Sequence, residues 1–147
     1  MARLKWTRVI VAGLFATAVM TVLMLMAPRM GFPPMNIGAM LGSVMGGSLV
    51  LGWMAHFVIG TALAILYAAL LATRLPGPGF VRGALYSLLP WAVAQLAVMP
   101  MMGAEVFGGS FGAAFGSLMG HLVYGAVLGA TYGTTMGRVP RPASATA

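Results

Sequence analysis

The sequence contains no cysteine and a single acidic residue, Glu105. Without cysteine there is no disulfide, no thiolate nucleophile and no thiolate-bound zinc or iron–sulfur centre. One carboxylate cannot supply the paired acid and base of a glycosidase. The sequence also has neither the G-x-S-x-G elbow of hydrolases nor the lysine of a phosphate-binding loop. These absences predict that the protein is not an enzyme.

Charged side chains of either sign are also scarce. They make up 6% of the chain, against 61% hydrophobic residues and a mean hydropathy of +0.98, whereas about a quarter of a soluble domain is charged. A transmembrane helix needs roughly 20 apolar residues. In a membrane β-strand, apolar residues would alternate with polar ones, whereas the apolar runs of this sequence are continuous. We predict an all-α membrane protein, with one domain over 1–137 and four transmembrane helices at 9–26, 49–71, 80–99 and 111–136.

The eight basic residues are distributed unevenly along this layout. Seven of them precede the first helix, join the second to the third, or follow the fourth: Arg3, Lys5, Arg8, Arg74, Arg82, Arg138 and Arg141. Loops rich in lysine and arginine stay on the cytoplasmic side. We therefore expect cytoplasmic N and C termini in a bacterial inner membrane, a disordered cytoplasmic tail at 138–147, and the lipid bilayer rather than a nucleic acid as partner.

Two histidine-containing segments resemble each other. "GWMAHFVIGTALAILYA" and "SLMGHLVYGAVLGATYG" align on His56 and His121, and "APRMG" and "MPMMG" end the helices that precede them. The chain is therefore predicted to contain two helical-hairpin repeats, at 8–72 and 80–137. Because each repeat crosses the membrane twice, the two copies have the same orientation, and their equivalent helices are parallel.

Prolines predict two irregular positions. Pro33 and Pro34 favour a short helix within 33–46, either at the interface or re-entrant, because proline is tolerated in a first helical turn. Pro90 should kink the third helix and free a backbone carbonyl, which Gln95 on the same helix is able to bond.

Small residues recur at every fourth position beside both histidines. Residues four apart share a helix face, and these faces read Gly52, His56, Gly60, Ala64, Ala68, Ala72 and Ser117, His121, Gly125, Gly129, Gly133, Gly137. Small residues let helix backbones approach closely in lipid. We expect the second and fourth helices to meet along these stripes, with each histidine bonding a hydroxyl or carbonyl of a neighbouring helix. A second stripe could serve a homo-oligomer or larger complex: Gly108, Gly112, Gly116 and Gly120.

Haem b is one alternative use of the histidines. His56 and His121 could ligate one iron from opposite sides, and Gly60 and Gly125 would leave room for the porphyrin. The protein would then be a redox subunit. No cofactor is predicted outright, and haem b is the one that the two histidines could hold.

Ion handling is another alternative. Histidine titrates near neutral pH, and ionisable groups inside a membrane are candidates for a proton or ion conduit. Glu105 could admit protons towards His121 or form an ion pair with Arg29.

Copper binding is a further alternative, because methionine thioethers bind Cu(I). Methionines cluster at two predicted helix ends: Met20, Met24, Met26, Met30, Met99, Met101 and Met102.

The histidine segments carry a family resemblance. "GWMAHFVIG", "MPMMG" and "HLVYGAVLGATYG" resemble a family of small uncharacterised bacterial membrane proteins that share a domain of unknown function. More distantly, "AQLAVMPMMG" followed by "GHLVYG" is similar to YagU-type inner-membrane proteins, at Pro100, Gly103, Gly120, His121 and Val123. The resemblance implies a four-helix membrane fold and a stress-related role such as acid tolerance. We therefore expect a non-enzymatic inner-membrane protein with a structural or stress-related role.

Overall fold

The computed structural model describes residues 5–133, and these residues are helical almost throughout. The α-helices are α1 (Trp6–Met26), α2 (Ile37–Ser43), α3 (Leu49–Leu66), α4 (Gly79–Val93), the single turn α5 (Met99–Met101) and α6 (Phe111–Gly133). Four turns of other helical types adjoin them: 3-10 turns at Ala27–Met30 and Val106–Gly109, and wider π turns at Tyr67–Leu71 and Ala94–Val98.

With these turns included, four helices are long and apolar enough to cross a membrane: Trp6–Met30, Leu49–Leu71, Gly79–Met101 and Phe111–Gly133. At about 1.5 Å per residue each exceeds the roughly 30 Å hydrocarbon core. Large apolar side chains are exposed on their outer faces, among them Val50, Leu96 and Phe111, and such faces suit lipid rather than water. The prediction of an all-helical protein with four apolar membrane-length helices is confirmed; the predicted tail at 138–147 lies outside the described residues.

The short helix α2 lies where the prolines predict one. Asn36 begins it, because its side chain accepts a hydrogen bond from the Ala39 amide at 2.8 Å. α2 packs against the beginning of α3, where a Cβ atom on Gly52 would overlap the carbonyl oxygen of Gly38. Glycine at position 52 therefore permits a backbone-to-backbone contact that holds α2 on α3.

The long helices do not pack as the stripes predict. α1 packs against both α3 and α6, and α4 packs against α6, so the order across the bundle is α3, α1, α6, α4. Within the described residues, α3 and α6 do not form a closely packed backbone pair. The prediction that the second and fourth helices meet along their small-residue stripes is therefore wrong.

Each stripe packs instead on a small-residue face of a different helix. Gly13 of α1 lies against Ala64 of α3, and Gly83 of α4 lies against Gly125 of α6. A close approach needs small residues on both helices, and α1 and α4 supply them. Sequence spacing identifies a small face, but it does not identify the face that it meets.

The second glycine stripe is also used within the chain. Gly112 lies against Pro33, Gly116 against Phe32, and Gly120 against the Met24 sulfur. These contacts fix the loop after α1 and the end of α1 itself onto α6. Three of the four glycines of the predicted stripe are therefore covered by other parts of the described chain and are not free for a partner, whereas Gly108 is exposed and lies in the turn before α6.

Candidate functional site

A cavity of about 390 Å³ lies among the four long helices, with α2 at one side. Its volume falls within the range of small-molecule pockets, roughly 300 to 1,000 Å³. Most of its wall is aliphatic or thioether: Met20, Met24, Met35, Ile37, Met40, Leu41, Ile59, Leu63, Leu66, Leu89, Val93, Val98 and Met99. The cavity is therefore suited to an apolar body of small-molecule size.

The cavity lies where α3 and α4 diverge. Near their connecting turn the two helices are joined by the Tyr86 hydroxyl, which donates to the Leu63 carbonyl at 2.8 Å. Further from the turn, cavity-lining side chains of both helices are also exposed on the molecular surface, with Ile59 of α3 46% and Leu89 of α4 57% accessible. The opening therefore faces sideways, towards the lipid that would surround the helices.

His56 of α3 borders the cavity and is bonded to α1. Its Nε2 lies 3.1 Å from the Thr21 hydroxyl oxygen, and that hydroxyl donates its one hydrogen to the Thr17 carbonyl at 2.7 Å. The hydroxyl can therefore only accept from His56, so Nε2 carries the hydrogen and Nδ1 carries the lone pair. The edges of Trp53 and Phe57 pack beside the ring.

His121 of α6 borders the same cavity but has the opposite tautomer. Its Nδ1 lies 2.9 Å from the Ser117 carbonyl oxygen on its own helix. A carbonyl can only accept, so Nδ1 carries the hydrogen and Nε2 is left with the lone pair. Both histidines thus border one space, but only His56 is bonded to a neighbouring helix.

Gln95 is a third polar residue of the cavity wall, and its side chain is 3% exposed. Its Nε2 donates to the Ser117 hydroxyl of α6 at 3.1 Å, and the Trp91 indole N–H donates to the same oxygen at 3.0 Å. Gln95 therefore joins α4 to α6, and it does not serve the carbonyl that Pro90 frees. The one glutamine of the sequence, placed in an apolar run, was the available signal for this site.

Three acceptor atoms of the wall have no hydrogen-bond partner among residues 5–133: His56 Nδ1, His121 Nε2 and Gln95 Oε1. Among residues 5–133, Arg82 Nε is the only side-chain nitrogen or oxygen that is completely buried and has no hydrogen-bond partner. The three acceptors are therefore not fully enclosed. Since Gln95 is otherwise buried, its free oxygen borders the cavity itself.

The two glycines predicted beside the histidines have different positions. Gly60 lines the cavity, and its carbonyl accepts a hydrogen bond from the Tyr124 hydroxyl at 2.6 Å. Gly125 instead packs on Gly83 and Ser87 of α4. The expectation that Gly125 leaves room for a cofactor beside His121 is therefore corrected: its missing side chain allows a helix contact.

Arg29 and Glu105 lie outside the cavity wall. Arg29 is in the 3-10 turn that follows α1, and Glu105 precedes the turn Val106–Gly109, with its carboxylate folded against Gly109. Both side chains are exposed. Neither has an ion-pair partner in the described part of the chain, so the structure does not form the predicted pair between them.

Metal ligands of the usual kinds are not clustered. Over residues 5–133, no three His, Cys, Asp or Glu side chains come together. Five methionines line the cavity, but the Met24 sulfur packs against Gly120 of α6. That methionine therefore fills space between helices, as the thioether commonly does.

Residues 5–143 match a known protein family, which is described as "Family of unknown function (DUF6789)". Comparison with curated proteins and with solved structures gives no match. The chemistry of the cavity must therefore supply the functional argument.

Proposed function

The chain belongs to this family of unknown function, and we propose that it is a non-enzymatic multi-pass membrane protein that binds a small lipophilic molecule from the bilayer. One observation carries the proposal: a largely apolar cavity between the diverging helices α3 and α4 has polar atoms without partners in its wall and opens towards lipid.

Lipid sets a particular condition on such a site. An apolar ligand gains no hydrophobic free energy by moving from lipid tails into an apolar cavity, because the two environments are alike. Its affinity must then come from hydrogen bonds that hydrocarbon cannot offer and from filling a void. The free atoms of His56, His121 and Gln95 offer the first, and the cavity between α3 and α4 offers the second.

We also propose the finer topology that the sequence predicts. The N and C termini are cytoplasmic in a bacterial inner membrane, as the basic residues favour, and the hairpins at 8–72 and 80–137 are parallel repeats. The tight pairs α1 with α3 and α4 with α6 support the repeat. A stress-related role, as in YagU-type proteins, is compatible with binding a membrane-dissolved compound.

Haem b binding is the second candidate function. In its favour, His121 Nδ1–H is held by the Ser117 carbonyl, and ligating histidines usually have such a bond on their other nitrogen. Against it, His56 Nε2 donates to Thr21, so ligation through that atom would break this bond. A proton or ion conduit has less support, because no carboxylate lines the cavity.

The binding test fills the cavity from one side. In Ala94→Phe the new ring projects from a cavity-lining position, whereas in the control Ala97→Phe it projects from an exposed one on the same π turn. We expect 4-hexylphenol, 4-hexylanisole or both to bind the wild type and Ala97→Phe saturably in lipid nanodiscs. Tryptophan fluorescence measures binding, since Trp91 is bonded to the Ser117 hydroxyl that also holds Gln95.

Ala94→Phe should abolish that binding while leaving the helical circular dichroism unchanged. If neither compound binds the wild type, or if both variants bind equally, the proposal fails. Absorption spectra of the oxidised and dithionite-reduced protein, from cells supplied with a haem precursor, test the second candidate. A Soret band that His56→Ala and His121→Ala both remove would establish haem instead.

A further inference from the structure

The hydroxyl groups that border the cavity already donate their hydrogens to backbone carbonyls. Thr17 donates to Gly13, Tyr86 to Leu63, Tyr124 to Gly60 and Ser117 to Ala114, at distances of 2.8, 2.8, 2.6 and 3.0 Å. A hydroxyl has one hydrogen. These four groups can therefore offer a ligand lone pairs but no donor.

The histidine N–H groups are engaged in the same way. His56 donates to Thr21, and His121 donates to the Ser117 carbonyl. Because one hydrogen of Gln95 Nε2 goes to the Ser117 hydroxyl, the second hydrogen of that amide is the one side-chain donor left among the described residues of the wall. Free side-chain acceptors therefore outnumber free side-chain donors in the described wall.

Two of the free acceptors belong to side chains that are held by the same residue. Gln95 bonds the hydroxyl of Ser117, and His121 bonds the carbonyl of the same residue. The free Gln95 Oε1 and the free His121 Nε2 thus belong to two side chains anchored on one residue. Both side chains also line the same cavity.

The charge of the wall restricts that polar group further. Among the described residues 5–133, no Lys, Arg, Asp or Glu lines the cavity. An ammonium donor would be a buried charge without a counter-charge, and a carboxylate would meet acceptors rather than donors. A ketone, ester or ether can only accept, so it would leave the lone pairs unused. A neutral hydroxyl donates once and also accepts from the spare amide hydrogen of Gln95.

We infer that the ligand of this cavity is a lipophilic hydroxyl compound, a phenol or alcohol on an apolar body, whose hydroxyl donates to Gln95 Oε1 or His121 Nε2. This inference rests on the proposed binding function and adds the chemical class of the ligand. The apolar body then lies between α3 and α4, against the aliphatic and thioether wall.

The test compares two probes that differ in one hydrogen-bond donor. 4-Hexylphenol carries a hydroxyl, and 4-hexylanisole carries a methyl ether on the same apolar body. One net hydrogen bond corresponds to a preference of about two- to tenfold, so we expect the phenol to bind wild-type protein in nanodiscs more tightly by that factor. Binding of each probe is corrected for its partition into protein-free nanodiscs.

Two variants locate the preference. Gln95→Leu removes the amide and should reduce the preference for the phenol, whereas Leu96→Ala, at an exposed position on the same turn, should keep the full preference. Since Gln95→Leu also breaks the bond to Ser117, His121→Phe provides a second removal of an acceptor. It should reduce the preference without affecting that bond.

The outcomes separate the two proposals. Equal affinity of phenol and ether for the wild type, with binding still lost in Ala94→Phe, would overturn the hydroxyl inference and keep the binding function. Retention of the full preference in both Gln95→Leu and His121→Phe would also overturn it. If neither probe binds the wild type, both proposals fail together.

Discussion

The pair α1 with α3 and the pair α4 with α6 use glycine for different contacts. In the first pair, the space beside Gly60 is occupied by the Thr17 side chain. In the second, the space beside Gly125 is occupied by the carbonyl oxygen of Gly83, which belongs to the backbone. The two glycines follow equivalent histidines in the sequence, but one accommodates a side chain and the other accommodates a helix.

The histidines of the two pairs differ correspondingly. His56 donates across to Thr21 of α1, whereas His121 donates to a carbonyl of its own helix, four residues earlier. The α4–α6 contact is held by close backbone packing and does not need a histidine between helices. The two similar sequence segments therefore place their histidines differently. His56 makes a bond between helices and has its Nδ1 lone pair free, whereas His121 makes a bond within its own helix and has its Nε2 lone pair free.

The largest expected difference in the free energy of unfolding comes from replacing each of these two glycines, Gly60 and Gly125, with alanine. Gly125→Ala would place a Cβ atom against the Gly83 backbone, which cannot move without shifting α4, so we expect a loss of about 3 kcal/mol in the free energy of unfolding. Gly60→Ala meets the Thr17 side chain, and we expect about 1 to 2 kcal/mol. Unfolding in mixed detergent micelles, followed by circular dichroism, measures both.

Gly116→Ala on α6 is the matched control, since its Cβ would make ordinary contacts of 3.5 Å or more with Phe32. Its stability should remain within about 0.5 kcal/mol of wild type. Equal losses for Gly60→Ala and Gly125→Ala would remove the proposed distinction between the two pairs.

A smaller effect should follow from removing the hydroxyl that His56 bonds. Thr21→Val leaves the His56 Nε2–H without its acceptor, which costs about 1 to 2 kcal/mol when the donor stays buried. Thermal unfolding of Thr21→Val, His56→Phe and the double variant should show that the two changes are not additive. Additive losses would mean that the bond between the two side chains contributes nothing to stability.

The smallest effect concerns one of the two tyrosine hydroxyls, those of Tyr86 and Tyr124, that connect the two pairs. Tyr124 of α6 donates to the Gly60 carbonyl of α3, and Tyr124→Phe removes that bond but keeps the ring. Interhelical hydrogen bonds in membrane proteins average about 0.6 kcal/mol, so we expect a loss of that size by the same unfolding measurement. A loss as large as that of Gly125→Ala would show that this hydroxyl, rather than glycine packing, holds the bundle.

The length and composition of the apolar runs are sufficient to predict four membrane-length helices. The same sequence predicts small-residue faces on the second and fourth helices, but Gly13 on α1 and Gly83 on α4 provide equally suitable partners. Choosing between such partners requires the three-dimensional packing of all four helices. The helix pairing was consequently mispredicted although the faces were identified.

The cavity was not predictable from helical periodicity. It arises because α3 and α4 diverge, and divergence is a property of two helices rather than of either sequence. Gln95 also lies in a π turn, where one additional residue per turn changes the face on which the following residues lie. Counting in steps of four through such a turn assigns side chains to the wrong face.

The sideways opening between α3 and α4 determines the concentration scale on which the affinity for a ligand must be given. A compound that enters through this opening is supplied by the membrane phase, so occupancy depends on its mole fraction in the lipid and not on its total aqueous concentration. Diluting the protein with additional lipid at constant total ligand should therefore lower occupancy, and a more water-soluble analogue should appear weaker even with identical contacts. Affinities in membranes of different composition become comparable only after partition coefficients have been measured.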